Sequence, residues 1–176
     1  MKHIAIAVLT AIFIISSSAA RSALGQTRRR TAPRPSSATA TAQKTAQVRT
    51  QGATRVADQI KLLTRFTYLL GGVVSGIGQV DEAIRRNEAT PAQVQSNDQS
   101  KARVKTSIQD FRVGLDKLEI DFRATPELQP YYIKLAGVAA GAATAEEQAA
   151  ANQFDAAGRS LLNVINRLTD VLLAMR

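Results

Sequence analysis

Cysteine is absent from all 176 residues, and the single histidine is His3. Without a thiol the chain has no disulfide framework, no thiolate zinc or iron–sulfur ligation and no cysteine nucleophile. His3 lies in a segment read below as removed, so the mature chain is expected to hold no imidazole. That sets aside His-mediated acid–base chemistry, Ser-His-Asp triads, histidine haem ligation and the Glu-x-x-His iron sites of helical bundles. No metal and no cofactor is expected.

Acidic residues are missing from the first 57 positions, which carry nine basic side chains; the first acid is Asp58. From there on fourteen basic residues face fourteen acidic ones. The net charge of +9 therefore belongs to the N-terminal arm. The remainder offers no basic nucleic-acid surface, and nucleic acid is not an expected partner.

What is present begins with an export-like layout. Met1-Lys2-His3 is a short positive start, residues 4–15 are an uncharged run of twelve, apolar but for Thr10, and residues 16–20 are small. This pattern predicts a secretory signal peptide over 1–25, with cleavage after Gly25 or, alternatively, after Ala20. The run is shorter than the ~20 residues a membrane span needs, so no transmembrane helix is expected in the mature chain. Arg21 and the triplet Arg28-Arg29-Arg30 run against this reading, because positive charge beyond the apolar run opposes export. The expected address is secreted or periplasmic, in the cell envelope.

Residues 26–54 hold one large aliphatic side chain, Val48, among Thr, Ala, Ser, Pro and Arg. Such a stretch cannot bury enough apolar surface to offset the entropy of ordering, so it is predicted to be a basic disordered linker. Its cations Arg28, Arg29, Arg30, Arg34, Lys44 and Arg49 are candidate contacts to an anionic surface.

After Arg55 the apolar spacing turns helical. Leu63, Phe66, Leu70, Val73, Ile77, Val80 and Ile84 alternate steps of three and four, and comparable stripes start at Val104, Leu128 and Phe154. Thr90-Pro91-Ala92-Gln93 offers an N-cap hydroxyl, a proline at the first helical position and a glutamine at the third. These features predict an all-α fold over 55–176: a four-helix antiparallel up-down bundle with a disordered N-terminal arm. The helices are placed at about 55–88, 91–124, 127–151 and 153–175. The third boundary lies at 151–153 or, alternatively, at 141–144.

Chemistry has few places to reside. Asp116 and Glu119 lie one turn apart and are the best carboxylate pair for a hydrolase, but Arg112, Arg123 and Lys117 surround them as natural ion-pair partners. The glycines Gly71, Gly72, Gly76 and Gly78 sit mid-helix without the Lys-Ser/Thr of a phosphate loop. Each costs about 1 kcal/mol against alanine in a helix interior. They border the apolar stripe on both sides, and together with Gly137 and Gly141 are expected to let neighbouring helices pack closely. Tyr68, Tyr131 and Tyr132 are candidates for a ligand cleft between the first and third helices. Leu162 and Leu173 widen the apolar arc of the fourth helix, which points to a homodimer through that helix.

These readings lead to an exported, non-enzymatic helical-bundle protein that binds or scaffolds at the cell envelope through its cationic tether. The expected partner is an anionic envelope surface or another protein. A small-ligand-binding bundle and a carboxylate-dependent hydrolase are the alternatives.

Overall fold

The computed structural model of the chain describes residues 37–176, and every regular element among them is helical. The order is α1 (Ser37–Arg85), α2 (Pro91–Ala124), α3 (Gln129–Leu135), α4 (Val138–Ala150) and α5 (Phe154–Ala174). The described residues belong to one unit.

The boundaries follow from local chemistry. Thr90 caps α2 through a full capping box, its hydroxyl accepting the Gln93 N–H while the Gln93 side chain accepts the Thr90 N–H. Asn87 and Asn152 take positive φ, 58° and 60°, where α1 and α4 have ended. Asparagine tolerates that left-handed turn better than most side chains. The break between the last two long stripes therefore falls at 151–153, the first of the two expected positions.

Two boundaries differ from the expectation. α1 starts at Ser37, so residues 37–54 of the expected linker are helical, whereas 26–36 lie outside the described residues. Alanine at 38, 40, 42 and 46 favours helix, and no proline intervenes after Pro35 to break it. The stripe also begins earlier than 55, because Gly52 and Val56 already pack inside. The expected third helix is divided at Ala136–Gly137, with Gly137 at φ +87°, not at 141–144. Glycine alone adopts that backbone at no steric cost.

α1 contributes Val56, Leu63, Leu70 and Ile77 to the core, one every seven residues. α2 adds Ile108, Leu115 and Phe122, α4 the alanines 142, 145 and 149, and α5 Leu161, Val164, Leu168 and Val171. Phe66 and Phe111 join α1 to α2 edge-to-face at a centroid separation of 5.0 Å. Arg55 pairs with Asp121 at 2.8 Å, and Asp81 with Lys101 at 2.6 Å. α2 meets α4 through Arg112 and Glu146 at 3.0 Å, and α4 meets α5 where Ser160 donates to Gln148 at 2.8 Å. α5 returns to α1, Gly158 lying against Leu70 and Met175 against Gly52.

α1 is much longer than its neighbours. Its 49 residues extend about 74 Å at 1.5 Å each. Residues 39–47 are exposed, beyond the level where Gly52 touches Leu128 and Met175.

Candidate binding surface

The glycines of α1 do not pack closely. A Cβ added at Gly71, Gly72, Gly76 or Gly78 would meet no atom within 4 Å, so all four open outward. The expectation of tight helix–helix packing at these positions is corrected: apolar periodicity shows that a stripe exists, but small residues beside it are covered only where a neighbouring helix reaches them. Close approach occurs elsewhere. At Gly141 a Cβ would lie 3.0 Å from Val164 Cγ2. At Gly137 it would lie 3.2 Å from Arg167 Nη1, which donates to the Gly137 carbonyl at 3.1 Å. Gly52, which the sequence reading passed over, is tightest, with Leu128 Cδ2 at 2.8 Å and Met175 Cε at 3.0 Å. Its place one helical turn before Val56 was the available clue.

The tyrosine cleft does not assemble. Tyr131 and Tyr132 are half-buried against the core just after Leu128, which touches α1 at Gly52. Tyr68 stands sixteen residues further along α1, about 24 Å away along the axis, and is 84% exposed. The bundle is too long at that point for helices one and three to bring the three rings together.

The carboxylates serve structure. Arg112 lies 3.7 Å from Asp116 and donates to Glu146 at 3.0 Å. The hydrogen bond donated to Glu146, then the charge of that carboxylate, raises the Arg112 pKa above the ordinary guanidinium value. Glu119 accepts the backbone N–H of Ala139 at 2.8 Å. That N–H belongs to the first turn of α4, whose N-cap Gly137 has no side chain to satisfy it. Among the described residues no group of three or more His, Cys, Asp or Glu is arranged to hold a metal ion.

Of the candidate cations, Arg28, Arg29, Arg30 and Arg34 lie outside the described residues. Lys44 and Arg49 are exposed on the early part of α1. From 44 to 65 this helix carries Lys44, Arg49, Arg55, Lys61 and Arg65 against Asp58 alone.

Apolar side chains also face solvent. On α1 these are Leu62 at 53% exposure, Leu69 at 55% and Val73 at 40%. Two shallow hollows separate α1 from α2. One of about 270 Å³ is lined by Leu69, Val73, Arg103 and Ser107 among others, and one of about 320 Å³ by Val80, Gln93, Ser96 and Asn97 among others. On α5, Leu162 and Leu173 are about half exposed.

No protein-family model, curated protein or solved structure matches this chain.

Proposed function

We propose that the protein is an exported, non-enzymatic binding or scaffold protein of the cell envelope, held at an anionic surface by its cationic N-terminal arm and the early part of α1. The observation that carries this reading is continuity of charge. The acid-free sequence that precedes Asp58 runs into a helix on which Lys44 stands within the exposed stretch 39–47 and Arg49, also exposed, follows just beyond it. Each cation near such a surface adds about 1 kcal/mol of attraction, lost as salt screens it. The apolar run at residues 4–15 supports export.

An antiparallel up-down arrangement belongs to the same reading. Its support is the order of contacts: Arg55 with Asp121, Phe66 with Phe111 and Asp81 with Asn97 pair rising numbers on α1 with falling numbers on α2. α4 and α5 follow suit, Gln148 with Ser160 and Gly137 with Arg167.

Co-sedimentation of the full chain with vesicles containing anionic lipid, at about 0.05 and 0.5 M salt, tests the surface reading. Binding is expected to fall with salt and to weaken in the Lys44→Glu/Arg49→Glu variant. Equal binding by variant and parent would refute it.

A further inference from the structure

Between Arg65 and Asp81, α1 carries no charged side chain, and its solvent side is apolar where a soluble helix is normally polar. At 100° per residue, Leu62, Arg65, Leu69, Val73 and Gly76 fall within about 80° of arc. Tyr68, 84% exposed, stands just to one side. By length and composition α1 is apolar enough to cross a membrane, yet only 17% of its most apolar 18-residue window is buried. Most of that window therefore faces solvent. The helix is not free to span, because Leu63, Leu70 and Ile77 on its other side are fixed in the core.

Charge decides what covers the strip. Arg65 stands at one edge of this arc, and Arg103 of α2 borders the strip, lining the same hollow as Leu69 and Val73. Neither arginine has an ion-pair partner among the described residues. A second copy laid antiparallel on the strip would centre near Val73, the midpoint of the charge-free residues 66–80, and would set Arg103 against its own twofold mate. Like charges so placed oppose self-association. An anionic interface accepts both features, since apolar side chains enter the boundary of headgroups and acyl chains while guanidinium groups pair with phosphates.

We propose that this strip of α1, flanked by Arg65 and Arg103, is a second, folded membrane-docking face that lies flat on a bilayer of anionic phospholipid. Leu62, Tyr68, Leu69 and Val73 enter the interface, and Gly72 and Gly76, with open space beyond them, let the helix axis sit close to the headgroups. The inference rests on the anionic-surface reading above, assigns part of the contact to the bundle and selects lipid as the surface.

The chain contains no tryptophan, so Leu69→Trp installs a sole reporter in the strip. The full chain is mixed with phosphatidylglycerol/phosphatidylcholine vesicles and, in parallel, with phosphatidylcholine alone. Emission is expected to shift to the blue with the anionic vesicles and to be quenched by brominated acyl chains. Ile120→Trp, exposed on α2 seventeen residues from Arg103, is expected to do neither. Leu69→Asp is expected to weaken vesicle affinity by about tenfold or more, with unchanged circular dichroism because the side chain is already half exposed. A reporter at 69 that stays unshifted while the protein still sediments with vesicles overturns the face and leaves the arm as the contact. Failure to sediment at all overturns both readings. A blue shift that grows with protein concentration in the absence of vesicles replaces lipid with a second copy, and equal shifts at 69 and 120 reduce the contact to non-specific adsorption; either result overturns the proposal.

Discussion

Asn97 donates its side-chain amide to Asp81 Oδ1 at 2.7 Å, tying α2 to α1 across sixteen residues of sequence. Asn97 is 4% exposed and is the one buried polar side chain among the described residues. Lys101 Nζ reaches the same oxygen at 2.6 Å. A buried amide without its acceptor costs about 1–3 kcal/mol, and removing the amide strips Asp81 of one of its two donors. Asn97→Ala is therefore expected to lower the unfolding free energy by about 1–2 kcal/mol in urea titration. Lys101→Ala should cost less, because Asp81 is more than a third exposed and solvent replaces the ammonium. Equal midpoints for parent and Asn97→Ala would remove the amide from the account.

The glycines give predictions of opposite sign. Gly72→Ala and Gly76→Ala place a methyl in open space on a helix interior, so each is expected to raise stability by up to about 1 kcal/mol. Gly52→Ala puts a Cβ 2.8 Å from Leu128 Cδ2, and Gly141→Ala puts one 3.0 Å from Val164 Cγ2. Overpacking of that kind costs about 1–3 kcal/mol, discounted at Gly52 because both contacting atoms end flexible side chains. Gly137→Ala should cost about 1 kcal/mol or more through its φ of +87°. Thermal unfolding of the five variants checks the ordering, and a loss of stability in Gly72→Ala would show that something already covers α1.

The α2 and α5 stripes were readable because each has a clear period, and α2 also has a capping box, so propensity, period and cap agree. The glycine face of α1 was misread for a definite reason. Periodicity locates a buried stripe, yet whether the flanks are covered depends on how far α2 and α5 reach along a helix of 49 residues. Residues 37–54 looked disordered because alanine and threonine carry little apolar surface, although a continuing helix needs no core to propagate once nucleated. Glu119 is surrounded by ion-pair partners on its own helix, and Asp81 and Asp121 have a basic residue four positions away on theirs. Each instead binds across to Lys101, Ala139 N–H or Arg55, since a surface pair is worth only ~0.2–0.5 kcal/mol and any interhelical donor displaces it. Local spacing cannot report such donors. Of the candidate sites, Gly137 and Gly141 meet a neighbouring helix as the spacing predicts, and the outward leucines of α5 and the cations Lys44 and Arg49 are exposed.

Glu119 acts at a distance as the cap that α4 lacks. Gly137 offers no side chain, so the Ala139 N–H depends on the Glu119 carboxylate 2.8 Å away. Glu119→Ala is expected to cost about 1 kcal/mol, in the range of losing an N-cap. Glu119→Gln keeps an acceptor and should retain most of that stability. Hydrogen exchange at Ala139 supplies the local readout: faster exchange in the alanine variant with little change in the glutamine variant is the expected pattern, and identical exchange in all three proteins would show that the carboxylate does not cap α4.

Leu162 and Leu173 lie eleven residues apart on α5, three turns that return to nearly the same side of the helix, about 16 Å along its axis. They are 48% and 54% exposed, and Leu173 shares a hollow of about 590 Å³ with Ile133, itself 81% exposed. This surface is separate from the α1 strip, and its charges are mixed, with Asp170 beside Lys134 and Arg167. A twofold can therefore oppose acid to base here, which the strip around Arg103 does not allow. If α5 is the self-association face, the full chain sediments as a dimer at micromolar concentration, and Leu162→Asp/Leu173→Asp returns it to monomer without loss of helix. Each buried leucine is worth about tenfold in dissociation constant or more, and the twofold counts each position twice, so the double variant should weaken dimerisation by about ten-thousandfold. A parent that sediments as a monomer would remove α5 as an interface between copies and leave its leucines as isolated surface apolar groups, which soluble proteins commonly carry.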